Sequence, residues 1–148
     1  MATSNAATNY LERRLLNFLF KNNAAIGGVT FASPGDNIYV GLATAVSAAE
    51  TGSVTEASFS GYARQQVAAA SWTTIGADST DTQTAKNTSA IEFPAKADSG
   101  NVTITHVIIA DASSSGNILF VGALDASKTL AQNDIFRINA TNLSIELK

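Results

Sequence analysis

The sequence lacks the residues that the commonest enzyme and metal sites are built from. It contains no cysteine and only one histidine, two prolines and one tryptophan among its 148 residues. Without cysteine the chain can form neither disulfides nor thiolate metal sites. The lone histidine, His106, leaves Ser-His-Asp and multi-histidine metal sites without partners, so we interpret it as a structural residue of a strand.

Charge is also scarce, because Asp, Glu, Lys and Arg make up only 14% of the chain, against about 25% in ordinary globular proteins. Nine basic and twelve acidic residues give a net charge of −3. The only adjacent basic pair is Arg13-Arg14, whereas a nucleic-acid site needs a basic stripe. Phosphate-loop, dinucleotide and nucleophile-elbow motifs do not occur. We therefore predict a non-enzymatic protein that has no cofactor and no nucleic-acid partner.

Long hydrophobic runs and secretion signals are missing too. The stretch Leu15–Phe20 is too short to cross a bilayer, and the N-terminus has no basic region followed by an apolar one. We expect no membrane association. The length of 148 residues is close to the usual size of one domain, so a single domain over residues 1–148 is predicted.

What the sequence does contain is a series of short apolar runs closed by Gly, Asn, Asp or Ser. Val102–Ala110 alternates at first and then becomes apolar on both faces. Ile118–Leu124 is a second apolar run, and the Gly116-Asn117 step before it tolerates positive φ. The two runs therefore predict a hairpin, with Lys128–Leu130 as a separate short edge piece.

The C-terminal residues give the clearest half-buried strand, since Leu143, Ile145 and Leu147 alternate with polar residues. Further strands are predicted at Ile38–Leu42, from the end of Gly61-Tyr-Ala-Arg-Gln65 through Ala70, at Ile91–Phe93 and at Ile135–Asn139. They bring the total to about eight. The small and polar segments Ala43–Ser60 and Gly76–Asn87 are predicted to be loops. The fold class that follows is mainly β.

One segment breaks the β pattern, and it predicts an amphipathic helix over about Tyr10–Asn22. Asn9 and Glu12 form a capping box at its start. Its apolar stripe is wider than one sheet face needs, so we expect it to contact a neighbouring subunit as well as its own sheet. The alternative is a helix that only covers one end of a sandwich. The residues assigned to the contact are Leu11, Leu15, Leu16, Phe18, Leu19 and Phe20. We divide the chain into an arm and helix over residues 1–22 and a sandwich over residues 23–148.

Three aromatic residues, Tyr39, Tyr62 and Trp72, are candidates for a sugar-binding platform, because carbohydrates stack on aromatic rings. Packing in the core is the alternative for such residues.

The order and spacing of several segments resemble a family of small tailed-bacteriophage virion proteins. Members are often labelled tail fibre protein, and the family is similar to the jelly-roll cement proteins that decorate phage capsids. The segments that carry the resemblance are Asn9-Tyr-Leu-Glu12, Leu15-Leu-Asn-Phe18, Ile38–Leu42, Gly61-Tyr-Ala-Arg-Gln65, Ile91-Glu-Phe-Pro94, Ile104-Thr-His106, Gly122-Ala-Leu124 and Leu143–Leu147.

This resemblance implies a jelly-roll-like β-sandwich that binds across the seams between major capsid proteins and stabilises the head. The implied partners are the chain itself, as a homodimer or homotrimer, and the phage major capsid protein. The implied location is the capsid surface of the virion, after synthesis in the cytoplasm of the host bacterium. The alternative is a tail-fibre or tail-tip module that binds host surface glycan through Tyr62 and Trp72.

Overall fold

The computed structural model describes residues 5–8, 38–73 and 83–147. These residues form ten strands and one 3₁₀ turn at Ala69–Ser71. The strands are β1 (Asn5–Ala7), β2 (Ile38–Ala48), β3 (Ser53–Glu56), β4 (Gln65–Val67), β5 (Gln83–Lys86), β6 (Ile91–Glu92), β7 (Val102–Ala110), β8 (Ile118–Leu130), β9 (Arg137–Ile138) and β10 (Ser144–Leu147). The helix predicted over Tyr10–Asn22 lies outside the described residues.

Six strands form one antiparallel sheet in the order β1-β8-β7-β2, and β2 then pairs with both β3 and β4 along its outer edge. Strand β4 lies beside the first residues of β2, and β3 lies beside its later residues. Two further antiparallel pairs, β5–β10 and β6–β9, stand apart from this sheet. The prediction of a mainly β protein is confirmed, whereas the jelly-roll arrangement stays a prediction.

The large sheet carries buried residues on both of its faces. On one face Val40 stands opposite Ile109, and on the other Gly41 stands opposite Ile108. This explains why the second half of β7 is apolar without alternation, as its sequence predicted. The main core joins the first face to residues of β6, β9 and the connecting segments. Its buried members are Val40, Leu42, Ala57, Phe59, Val67, Ile91, Phe93, Ile104, Val107, Ile109, Leu130, Phe136 and Ile138.

The predicted hairpin is confirmed, since β7 and β8 pair along most of their length. The positive φ angles of its turn lie at Ser115 (53°) and Gly116 (67°), one residue earlier than the predicted Gly116-Asn117 step. Asn117 instead bonds to Asp111, with its main-chain N–H donating to Oδ1 at 2.7 Å and its side-chain amide to Oδ2 at 2.8 Å. These two bonds fix the ends of the turn to each other.

The prediction that Ala43–Ser60 is a loop is wrong. Strand β2 continues to Ala48, and after a short turn β3 pairs back onto it. Val46 lies opposite Val54, and both pack against a second small cluster of buried residues on the other face of the sheet. The alternation is present here, but small and polar residues carry most of it, so the sequence gives only a weak strand signal.

Two other segments also differ from the prediction. Lys128–Leu130 is the end of β8 rather than a separate piece, because the register shifts by three residues between the pairs His106–Ala123 and Ile104–Lys128. Such a bulge interrupts the alternation on which a sequence prediction depends. The end of the predicted loop Gly76–Asn87 forms β5, which pairs with the predicted C-terminal strand, β10. The C-terminal strand itself is confirmed.

Candidate functional site

The most highly connected polar group of the described chain is the guanidinium of Arg64, just before β4. Its Nε and Nη2 atoms donate to Oε1 and Oε2 of Glu56 at 2.8 and 2.7 Å. This is the two-pronged geometry in which arginine binds a carboxylate most strongly. Only 5% of the Arg64 side chain is exposed. The pair therefore joins the end of β3 to the start of β4.

Arg64 also holds the turn between β7 and β8. Its Nη1 atom donates to the carbonyl oxygens of Ala112 and Ser115, each at 2.8 Å. A single cation thus neutralises Glu56 and satisfies two carbonyl groups of an otherwise exposed turn. The result is a rigid corner at one end of the large sheet.

Tyr62 completes this network from the core side. Its hydroxyl donates to Glu56 Oε1 at 2.7 Å and accepts from the main-chain N–H of Leu42 at 2.9 Å. The hydroxyl can come this close only because Gly41 has no side chain, as a Cβ there would lie 2.9 Å from Tyr62 Oη. Burial raises the pKa of Tyr62, and the hydrogen bond and negative charge of Glu56 raise it further.

Two opposing effects act on the pKa of Glu56. Burial raises this pKa, but the hydrogen bonds from Arg64 and Tyr62, together with the charge of Arg64, lower it by more. The pKa of Glu56 is therefore below its ordinary value, and the carboxylate is held in its charged form.

The two aromatic residues predicted to bind glycan both pack against the main core and are half-buried. The ring of Tyr62 is parallel to that of Phe93 at 6.3 Å and meets Phe59 edge-on at 5.3 Å. Trp72 forms an isolated bridge with Asn87. Among the described residues, no ring contact joins Tyr62 to Trp72. Their glycan role stays a prediction.

His106 lies in β7, opposite Ala43 of β2 and Ala123 of β8. Its Nδ1 atom is 2.7 Å from the hydroxyl of Thr105. Burial lowers the pKa of His106, so the neutral ring is favoured. A neighbouring hydroxyl and two small residues are the surroundings of a structural histidine.

Lys96 anchors the segment that follows β6. It is buried, and only 2% of its side chain is exposed. Its Nζ atom donates to the carbonyl oxygens of Asp98 at 2.6 Å and Ser99 at 3.3 Å, and it lies 3.1 Å from Asp98 Oδ1. The hydrogen bond from Lys96 lowers the pKa of Asp98. The main chain of Lys96 is bonded as well, because its carbonyl accepts from the N–H of Asn133 at 2.7 Å.

The outer face of the pair β6–β9 is exposed and mixed in character. Glu92 lies opposite Arg137, and their charged atoms are 3.6 Å apart. In the same register Pro94 stands opposite Ile135, since the N–H of Phe93 donates to the carbonyl of Phe136 at 2.9 Å. Ile135 is 49% exposed. This face, formed by Glu92, Pro94, Ile135 and Arg137, is called the outer ladder face below.

A second exposed stretch is the later half of β8, from Ala123 to Thr129. All of these residues except the half-buried Leu124 are exposed, and most have small side chains. Within residues 5–8, strand β1 pairs with residues Phe120–Gly122 of β8.

The predicted contact residues of the N-terminal helix, Leu11, Leu15, Leu16, Phe18, Leu19 and Phe20, lie outside the described residues. Sequence reasoning missed the ion pair of Glu56 and Arg64, although Arg64 belongs to the segment Gly61-Tyr-Ala-Arg-Gln65 that carries the family resemblance. The signal available in the sequence was an arginine two residues after an aromatic residue, just before a strand.

Over residues 5–8, 38–73 and 83–147, no group of three His, Asp or Glu side chains could hold a metal ion. No helix in the described part of the chain is long and apolar enough to cross a membrane.

One family model, described as podophage GP4 fiber I protein gp80, matches residues 6–146. The chain belongs to this family. The match covers nearly the whole chain, from β1 to within β10. Membership of this fiber I family shows that the chain is a structural protein of a phage virion. No curated protein matches it.

Proposed function

We propose that this fiber I family member is a non-enzymatic cement protein that binds across the seams between major capsid proteins and stabilises the phage head. The observation that carries the proposal is the exposed stretch Ala123–Thr129 of β8. Small side chains let another protein approach a strand closely, and the low share of charged residues in the whole chain, 14%, keeps the cost of desolvation small. The resemblance to capsid-decorating proteins supports the same assignment.

The proposed partners are the major capsid protein and further copies of this chain, as a homodimer or homotrimer. Each contact need bury only about 1,600 Å² in total, because repetition over a symmetric lattice supplies avidity. A rigid corner such as the one around Arg64 suits this task, since ordered groups lose little entropy on binding.

The N-terminal contact residues are part of the proposal. Leu16→Asp and Phe20→Asp are expected to weaken both self-association and capsid binding, because each places a charge on the predicted apolar stripe. Asn17→Asp, on the predicted polar face, is the matched control and is expected to leave both unchanged. Unaltered binding by both stripe variants would remove these residues from the proposed interface.

A second candidate function is a fibre module that recognises host glycan, which the word fiber in the family description favours. In this function Trp72 would stack on sugar rings, since both hydrogen-bonding roles of the Tyr62 hydroxyl are already taken within the fold. Binding of purified host envelope polysaccharide that is lost in Trp72→Ala, while the variant melts at the wild-type temperature, would support this candidate.

The experiment that decides between the two is immunogold electron microscopy of the parent virion, with antibody raised against the purified chain. The cement function predicts label spread over the head. Label confined to the tail or its tip would overturn the cement function and favour the glycan-binding module. Preimmune serum on the same virions is the control.

A further inference from the structure

The outer ladder face has a register that makes it complementary to itself. Antiparallel pairing sets Glu92 directly opposite Arg137, and it brings Pro94 opposite Ile135 one step along the same face. The inward residues of this pair of strands, Ile91 and Ile138, are buried in the main core. The face therefore consists of one row with opposite charges and one apolar row.

Within a single chain, the side chains of both rows stay exposed to solvent. The atoms of Glu92 and Arg137 are 3.6 Å apart, and both side chains are 55% exposed. An isolated ion pair of this kind adds little stability. Ile135 is the large hydrophobic residue that stands out as exposed among the described residues. Its exposed side chain leaves apolar surface that a partner can bury.

Main-chain hydrogen bonds continue the pairing of these two segments beyond Pro94 and Ile135. The main chain of Lys96 accepts from Asn133 at 2.7 Å and donates to the carbonyl of Asp134 at 2.9 Å. The buried ammonium group of Lys96 fixes the next residues of this segment. A surface whose backbone is already ordered pays little conformational entropy on association.

We infer that the outer ladder face is the docking surface for a second copy of this chain, related by a two-fold axis that runs parallel to β6 and β9, midway between them. This operation exchanges the two strands. It places Glu92 of each copy against Arg137 of the other, and Pro94 of each copy against Ile135 of the other. The interface is isologous, so each favourable contact occurs twice.

This inference rests on the proposed self-association and is independent of whether the virion carries the chain on its head or its tail. The test is sedimentation equilibrium of the purified full chain over a range of concentrations. Glu92→Arg makes the charged row of the face entirely basic, and Arg137→Glu makes it entirely acidic. Each single variant is expected to raise the dimer Kd about tenfold or more, because like charges then face each other twice.

The decisive sample is an equimolar mixture of the Glu92→Arg and Arg137→Glu variants. An all-basic row then meets an all-acidic one, so the mixture is expected to recover an affinity close to that of the wild-type chain. Lys86→Glu, at an exposed position of β5 outside both proposed contact surfaces, is the control for a change of net charge and is expected to leave the Kd unchanged. Ile135→Asp tests the apolar row in the same assay. Circular dichroism melts establish that each variant is folded.

The outcomes separate the two claims. Wild-type association that none of these variants weakens, or single variants that weaken it without recovery on mixing, would overturn the outer ladder face and leave self-association through another surface in place. A wild-type chain that stays monomeric at every concentration would overturn this inference together with the proposed self-association. Immunogold labelling of the head or tail would stand in either case.

Discussion

Asn87 and Leu143 are joined by two hydrogen bonds that make the side chain of one residue act as a strand partner of the other. The main-chain N–H of Asn87 donates to the carbonyl of Leu143 at 3.2 Å, and the N–H of Leu143 donates to Asn87 Oδ1 at 2.9 Å. The amide nitrogen of Asn87 donates in turn to the carbonyls of Ser89 at 2.8 Å and Asn139 at 2.9 Å. Asn87 is fully buried. One side chain thus positions the whole segment that leads into β10.

Removal of Leu143–Lys148 is expected to abolish soluble expression. The deletion removes β10, leaves β5 without its partner strand, and exposes Asn87 Oδ1 and the core beside Leu143. Comparing soluble yield with that of a chain lacking only Lys148 measures the effect. A truncated chain that stays soluble and melts like wild type would refute the prediction.

Substitution of Asn87 by Ala is expected to lower the free energy of unfolding by about 2–4 kcal/mol, because it leaves buried polar groups without partners. Urea denaturation followed by tryptophan fluorescence gives this value. Asn142→Ala, at an exposed position in the same segment, is the matched control and should change stability by less than about 0.5 kcal/mol. Equal effects of the two changes would argue against Asn87 as the organising residue.

Gly116→Ala is expected to destabilise the fold more than Gly100→Ala. Both glycines have positive φ, 67° and 85°. A Cβ at Gly116 would lie 2.5 Å from Asp111 Oδ1 and 2.6 Å from Ala112 Cβ, whereas nothing lies within 4 Å of one at Gly100. Gly100→Ala therefore measures the backbone cost alone, about 1 kcal/mol, and Gly116→Ala adds steric overlap for a total of about 2–4 kcal/mol. Thermal melts of the two variants provide the comparison, and a larger loss at Gly100 would contradict it.

The carboxylate of Glu56 is expected to make stability fall in acid. Its pKa is lowered in the folded state from an ordinary value of 4.5. The stabilisation is therefore complete above that value and is lost as the pH falls through the lower folded pKa. Urea denaturation at a series of pH values from about 6 to 3 measures the slope. Glu56→Gln should be less stable at neutral pH but show a shallower decline in acid, whereas the exposed Glu50→Gln should keep the wild-type slope.

Much of the fold could be predicted where side chains alternate strongly between apolar and polar. The strands β7, β8 and β10 have large aliphatic residues at the right spacing, and the pairing of β7 with β8 follows from the turn chemistry between them. The continuation of β2 and the presence of β3 could not be predicted in this way, because Ala, Ser and Thr fill most of their positions. Here main-chain pairing, rather than side-chain burial, decides the structure.

The polar sites were less predictable than the strands. The importance of Arg64 depends on the carbonyls of Ala112 and Ser115, which are far away in sequence and whose positions follow only from the folded turn. Tyr62 was predicted as a glycan-binding candidate, whereas its hydroxyl bonds to Glu56 and Leu42 are tertiary contacts that no local pattern encodes. Lys96 gave no signal, since a single lysine after a proline is usually exposed.

The pairing of strand β1 with β8 determines when the large sheet can be completed during synthesis. Its residue Ala6 pairs with Val121, which is 115 positions later in the chain (121 − 6). During synthesis the first residues therefore leave the ribosome long before their partner strand exists. The edge of the large sheet next to β8 is closed only after Ile118–Leu130 has been synthesised. Until then the β1 residues of a growing chain can exchange with the β1 strand of a neighbouring chain, which is the route to a domain swap.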